Sequence, residues 1–139
     1  MKKLIITILL LYIESCVMDS INITRLINEA GEDVKVSVYY NKQLLDSLKA
    51  ISYSSFLKQQ AENGASFVVS VNTTEMAVVY RVPTGHDFNI NRGRGSEPDF
   101  ESINSVVVQS ARSTTRYSRI QILKSIKHMG SGLWEWRIK

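Results

Sequence analysis

The pattern of apolar and polar positions predicts a chain built mainly of short β-strands. The clearest segment is residues 34–40 (VKVSVYY), in which apolar residues occupy every second position and Lys35 and Ser37 lie between them. This alternation is typical of a strand that is buried on one face. We therefore predict a half-buried strand here.

Six other segments are rich in β-branched and aromatic residues and are bounded by turn residues, which also predicts strands. They are residues 21–27, 67–71, 76–82, 87–91, 105–109 and 133–139. We expect residues 67–71 and 76–82 to form a hairpin. Residues 105–109 (SVVVQ) are apolar on both faces and should form a central strand.

The strand faces can also be predicted. Ile21 and Ile23 share one face of the first strand, and Phe88 and Ile90 should point inward from the strand predicted over residues 87–91. In the last strand the two tryptophans and Ile138 share a face. Glu135 and Arg137 should therefore face solvent.

Two segments fit more than one structure. In residues 44–63 the spacing of Leu44, Leu48 and Ile51 favours a short helix that ends at Asn63-Gly64, although serines interrupt the pattern. Residues 119–129 fit a helix or a strand. We favour a strand over residues 116–122 that a Gly-Ser-Gly turn then connects to the last strand.

Short strands with turns every eight to twelve residues predict the fold class. We expect an all-β chain, or a β-rich one with one short helix, folded as an antiparallel immunoglobulin-like sandwich. Residues 21–139 form one domain of a size that can bury a core. Residues 91–99 (NRGRGSEPD) should form a mobile loop.

The first twenty residues have a different pattern. Lys2 and Lys3 precede an apolar run over residues 4–13, the arrangement of a secretory signal peptide. This run of ten residues is too short for a transmembrane helix, which needs about 20 apolar residues. We predict a signal peptide over residues 1–15.

The only cysteine lies just past this run, in the sequence Ile13-Glu14-Ser15-Cys16. This sequence resembles the bacterial lipobox, which it matches at Ile13, Ser15 and Cys16, whereas Glu14 stands where a small or aliphatic residue is usual. The resemblance implies cleavage before Cys16, a diacylglycerol on its thiol and acylation, such as by palmitate, of the new amino terminus. Residues 16–20 would then be a lipidated tether. The alternatives are a buried thiol or an intermolecular disulfide.

The first part of the chain has a leader, a cysteine, a short spacer and then the segment INITRLINEAGEDVKVSVYYN. This arrangement resembles small exported lipoproteins of Bacteroidetes. The resemblance implies an immunoglobulin-like or related sandwich attached to the outer membrane, facing the periplasm or the surface. Asp19-Ser20-Ile21 and Asp46-Ser47-Leu48 also resemble the O-glycosylation acceptors of such bacteria, which makes Ser20 and Ser47 candidate modification sites.

The charge balance adds a candidate binding surface. The chain has 17 Lys and Arg against 13 Asp and Glu, and residues 110–139 contain seven basic residues but only one acidic residue. For an exported protein, anionic headgroups, lipopolysaccharide or acidic glycan are better partners than nucleic acid. The alternative is an ordinary solvated face. The candidate residues are Arg92, Arg94, Arg112, Arg116, Arg119, Lys124 and Lys127.

Catalytic and metal motifs are weak. Asp87, Asn89 and Asn91 alternate as calcium ligands do, but the positions that should hold the glycine and the last glutamate of a calcium loop do not match. We predict no metal, no cofactor and no enzyme activity. An envelope hydrolase, the less favoured alternative, would need a pocket that gathers His86, Asp87 and either Glu97 or Asp99.

The expected function is that of an anchored, non-catalytic sandwich that binds a protein or a glycan in the envelope. The alternative is a subunit of an envelope machine, similar in plan to the outer-membrane lipoprotein of type VI secretion.

Overall fold

The computed structural model describes residues 20–48 and 52–139 of the chain. The predicted signal peptide, the predicted lipidation site Cys16 and residues 16–19 of the predicted tether lie outside the described residues. Within residues 20–48 and 52–139, no helix is both long and apolar enough to cross a bilayer.

The described chain contains nine strands and three short helices. The strands are β1 (Ile21–Asn28), β2 (Val34–Tyr40), β3 (Val68–Asn72), β4 (Ala77–Val82), β5 (Asp87–Arg94), β6 (Ile103–Gln109), β7 (Thr114–Ser118), β8 (Lys127–Gly130) and β9 (Leu133–Ile138). The helices are α1 (Lys42–Leu48), α2 (Tyr53–Glu62) and α3 (Arg119–Ser125), and a 3₁₀ turn covers Ala65–Phe67.

The strands form two sheets. Sheet A has the order β5-β1-β9-β8 and sheet B has the order β3-β4-β2-β6-β7. β1 and β9 are parallel, whereas the other pairs are antiparallel. The prediction of a β-rich sandwich is confirmed. The structure adds a parallel pair within sheet A and has three short helices in place of one.

The inner face of sheet B is aliphatic, as its sequence pattern requires. Val34, Val36 and Val38 of β2 are fully buried, and valines of β4 and β6 lie beside them in the register. The strand predicted over residues 34–40 has the predicted bounds. The predicted hairpin of β3 and β4 also forms.

The inner face of sheet A is more polar than the sequence suggests. Asn22, Thr24 and Asn28 of β1 are fully buried beside Leu26, while Ile21 and Ile23 lie on the outer face. Hydrogen bonds make this burial possible for Asn28, whose Nδ2 donates to the carbonyl oxygens of Glu32 at 2.8 Å and Val82 at 2.9 Å. These bonds tie the end of β1 to sheet B.

Helices α1 and α2 close one side of the sandwich. Phe56 of α2 packs edge-on against Tyr40, and the hydroxyl of Tyr80 donates to the carbonyl of Gln60 at 3.1 Å. Burial raises the pKa of Tyr80 to about 12. The predicted helix end at Asn63 is confirmed, since Asn63 is the C-cap of α2.

Helix α3 closes the other side, where we predicted a strand. That prediction is wrong because β7 ends at Ser118, whose hydroxyl accepts from the Gln121 backbone while the Gln121 side chain accepts from the Ser118 backbone. This capping box starts a helix that buries Ile122. The Gly-Ser-Gly turn leads into the last strand, as predicted, but the strand that precedes it is β8 and not residues 116–122.

Candidate functional site

One end of the sandwich is of special interest because the chain enters it from the Cys16 side. We name it the tether end. β1 and β9 begin there, at Ile21 and Leu133, and β5 finishes there at Arg94. The opposite end, where β1 finishes at Asn28, is named the far end.

A cleft of about 930 Å³ lies at the tether end. It runs between the loop that follows β5 and the turn that joins β8 to β9. The residues that line it are Ser20, Ile21, Ser96, Glu97, His128, Ser131, Gly132 and Trp134.

The first wall of this cleft is held by Asn22. Its Nδ2 donates to the carbonyl oxygens of Arg94 and Gly95, each at 3.2 Å, and of Glu97 at 3.0 Å. The Gly95 amide also donates to the Ser20 carbonyl at 2.7 Å. A buried side chain of β1 therefore fixes the loop that carries Glu97.

The second wall requires glycine. The Ile23 amide donates to the Gly132 carbonyl at 2.9 Å, which brings the turn against β1. Gly132 has φ of 74°, and a Cβ there would lie 2.3 Å from the Ile21 carbonyl oxygen. Any larger residue would push the turn away from β1.

An aromatic pair forms the side of the cleft. Trp134 and His128 are opposite each other in the β8–β9 register, and their rings lie 4.7 Å apart at an interplanar angle of 36°. The Nε1 of Trp134 is buried and has no hydrogen-bond partner within the described part of the chain. Thr24 lies opposite Trp134 in the β1–β9 register, and its Oγ1 is likewise buried without a hydrogen-bond partner in the described part of the chain.

The cleft chemistry is mixed. The residues that line the cleft include one tryptophan, one glutamate and several serines. This combination suits a ligand that has an apolar face and several hydroxyl groups. In the described ranges no group of three His, Cys, Asp or Glu residues could hold a metal ion.

The seven predicted basic residues do not form one face. Arg92 and Arg94 lie on β5, one edge strand of sheet A, whereas Lys127 lies on β8, the other edge strand. Arg112 lies in the turn between β6 and β7, and Lys124 in the last turn of α3. Five of the seven lie within residues 110–139 of the sequence, but the fold distributes them over both sheets, a turn and a helix.

Two of the seven also have structural contacts of their own. Arg116 donates to Ser105 Oγ at 2.7 Å and lies over the Tyr39 ring at 5.0 Å. The Nε of Arg119 donates to the Asp99 carbonyl, so this side chain ties α3 to the loop after β5. Only Arg92 and Arg94 lie together at the tether end of sheet A.

The calcium pattern is broken by a β-bulge. Asn89 is opposite Arg25 and Asn91 is opposite Thr24, so β5 has one additional residue between them. This shift places Asn91 on the buried inner face, while Asp87 is exposed and pairs with Arg25 at 3.4 Å. The three side chains therefore do not converge.

Within residues 20–48 and 52–139, His86 and Asp87 do not lie in one pocket with Glu97. At the far end, His86 precedes β5 and Asp87 is its first residue. Glu97 follows β5 at the tether end. Eight residues of strand separate them, which is roughly 25 Å. Glu97 instead lines the same cleft as His128, which no sequence motif indicated.

The position of Glu135, on the outer face of sheet A, also differs from the prediction. We expected it to face solvent, but its side chain is only 7% exposed because Arg25 and Arg137 cover it. Arg137 Nη2 lies 2.6 Å from Glu135 Oε2, and Arg25 Nη2 lies 3.5 Å from Glu135 Oε1. The hydrogen bond to Glu135 raises the pKa of Arg137.

The two candidate glycosylation serines are both exposed. Ser20 lines the cleft, and Ser47 lies in α1, where its hydroxyl donates to the Leu44 carbonyl at 2.6 Å. Asp46 precedes Ser47 in the helix, whereas Asp19 lies outside the described residues.

Comparison with known proteins gives no relative: no protein-family model, no curated protein and no solved structure matches this chain. The class of protein must therefore be inferred from the sequence and the geometry of the tether end.

Proposed function

We propose that this protein is a membrane-anchored envelope lipoprotein whose sandwich is a non-catalytic binding module. The observation that carries the proposal is the lipobox-like Ile13-Glu14-Ser15-Cys16 after a short apolar run, with the only cysteine of the chain at the lipidated position. The first strand of the domain begins at Ile21, a short distance after Cys16. Two or more acyl chains would hold the protein on a membrane almost permanently.

The anchor is tested by metabolic labelling with an alkyne fatty acid in a bacterial host that carries the lipoprotein pathway. Wild type should be labelled and Cys16→Ala should not. Ser15→Ala is the matched control, because it keeps a small residue before the cysteine and should remain labelled. Equal labelling of wild type and Cys16→Ala would contradict the anchor.

The proposed ligand of the cleft is a neutral oligosaccharide. The Trp134 ring offers an apolar surface for one face of a sugar, and Glu97, Ser96 and Ser131 offer acceptors and donors for its hydroxyls. A glycan with carboxylates is less suitable, because the Glu97 carboxylate would repel it.

This proposal is tested on an array of neutral oligosaccharides, followed by a titration with the best binder. Trp134→Ala should weaken binding at least about tenfold, since a buried aromatic contact is lost. Trp134→Phe, which keeps a ring, should stay within about threefold. Ile120→Ala changes an exposed side chain on α3 and should have no effect. Equal binding by wild type and Trp134→Ala would contradict the role of the cleft.

A second candidate, a subunit of an envelope machine, is favoured by strand β3. β3 is an edge of sheet B, and its Val69 is 62% exposed. An apolar edge strand can receive a strand from a partner protein. Under this alternative, wild type and Val79→Ala would co-purify with the same multi-subunit membrane complex, whereas Val69→Lys would not.

A further inference from the structure

We propose that the outer face of sheet A at the tether end lies against a bilayer surface that carries anionic phospholipid headgroups. This inference rests on the proposed acylation of Cys16. The surface, which we name the tether-end patch, consists of Ile21, Ile23, Leu133, Arg92 and Arg94.

The sheet register brings these five residues together. Ile21 is opposite Arg94 and Ile23 is opposite Arg92 in the β1–β5 pair, and Leu133 is opposite Ile23 in the β1–β9 pair. Successive residues of a strand point to opposite faces of the sheet. Asn22, which lies between Ile21 and Ile23, is buried on the inner face, so the patch residues face outward. Ile21 is 47% exposed, although it is a large aliphatic residue.

The patch has the composition of a surface that binds anionic membranes. Aliphatic side chains lie in the middle and two arginines lie along one edge. Aliphatic residues can enter the headgroup region while arginines contact lipid phosphates. Among the described residues, neither Arg92 nor Arg94 has an ion-pair partner, so their charge is available to such phosphates.

The tether limits how far this patch can move from the membrane. Four residues, Val17 to Ser20, separate Cys16 from Ile21. A fully extended chain over those five steps reaches at most about 18 Å. An acylated Cys16 therefore keeps Ile21 within that distance of the headgroups, which gives the patch a high local concentration at the bilayer.

The distribution of acidic residues determines which part of the tether end makes the contact. Glu97, Asp99 and Glu101 follow β5 in the loop that leads to sheet B, not on the outer face of sheet A. Anionic headgroups would repel this loop and attract the arginines. The domain should therefore contact the bilayer through the outer face of sheet A and not through the loop.

A spin label can measure this orientation, since Cys16 is the only cysteine and an acylated Cys16 does not react with a thiol label. The acylated full chain is placed in vesicles of phosphatidylglycerol and phosphatidylcholine. Met129→Cys carries the label beside the patch, at a residue that is 46% exposed and precedes the β8–β9 turn. Thr74→Cys is the matched control, because it is exposed in the β3–β4 turn of the other sheet.

We expect the label at position 129 to be more accessible to oxygen than to a water-soluble nickel relaxant, which is the pattern of the membrane interface. The label at position 74 should show the opposite pattern. In vesicles of phosphatidylcholine alone, or in an Arg92→Gln/Arg94→Gln background, the label at position 129 should become water-accessible. Arg112→Gln changes an arginine at the far end and should leave the pattern unchanged.

Two results would overturn the inference, and they can be told apart. Water-like accessibility at position 129 on an acylated protein would show that the anchor exists but the patch does not contact the bilayer. Labelling of two thiols per chain, with no acyl mass on Cys16, would overturn the proposed anchor as well.

Discussion

The outer face of sheet A has two halves that share strands β1, β5 and β9 but differ in how their charged side chains are paired. In the far half, Glu135 is enclosed by Arg25 and Arg137, and these arginines also pair with Asp87 and Glu29. In the tether half, Arg92 and Arg94 lie beside aliphatic residues without an ion pair in the described chain. The far half therefore pairs its charges internally, whereas the two arginines of the tether half have no ion pair among the described residues.

The largest expected effect comes from a substitution that separates the tether half from its turn. Gly132→Ala should lower the free energy of unfolding by about 3 kcal/mol or more, because the new Cβ would collide with the Ile21 carbonyl and φ is positive. Gly31→Ala is the control: its φ is also positive, but no atom lies within 4 Å of the new Cβ. It should cost only about 1–2 kcal/mol. Urea unfolding measures both, and equal losses would contradict the close contact between the turn and β1.

Asn22→Ala should have the next largest effect. It removes the donor for three carbonyl oxygens of the loop after β5, which should cost about 2 kcal/mol and loosen the cleft. Asn72→Ala removes a turn-stabilising acceptor whose hydrogen bonds are exposed, and it should cost less than about 1 kcal/mol. Hydrogen exchange of the Gly95–Glu97 amides should accelerate only in the Asn22 variant. Unchanged exchange there would contradict the role given to Asn22.

Glu135→Gln tests the far half. It should lower the free energy of unfolding by about 1–2 kcal/mol, because two arginines lose a covered carboxylate. Glu29→Gln removes a more exposed partner and should cost less than about 0.5 kcal/mol. The difference between wild type and Glu135→Gln should shrink in high salt. An equal loss of unfolding free energy for both substitutions would show that burial of Glu135 does not strengthen its ion pairs.

The smallest expected effect on stability comes from the tether half itself. Arg92→Gln/Arg94→Gln should change the free energy of unfolding by less than about 0.5 kcal/mol, since no described contact is lost. Thermal unfolding of the double variant and of wild type checks this. A large destabilisation would mean that these arginines support the fold, and the two halves would then not differ as described.

Strand positions could be predicted from the sequence because alternation and turn residues determine them locally. β2 has its predicted bounds, and the hairpin of β3 and β4 formed as expected. Helix α3 was missed because its start depends on the Ser118–Gln121 capping box, which outweighs the β-branched residues that follow.

Parts of the site could not be predicted because they depend on register between distant strands. The bulge in β5 that turns Asn91 inward is visible only when β5 is paired with β1. The cleft is lined by Glu97 and by the β8–β9 hairpin residues His128 and Trp134, which are far from Glu97 in sequence. One local signal was available: the Gly-Ser-Gly turn implies that His128 and Trp134 face each other across a hairpin.

The most direct test of the proposed function is intact mass spectrometry of the protein from the membrane fraction, expressed with its own leader. The account predicts a mature chain that begins at Cys16 and carries the mass of a diacylglycerol, with or without one further acyl chain. A chain that retains residues 1–15 and has an unmodified Cys16 would contradict the anchor and, with it, the membrane-facing orientation of sheet A.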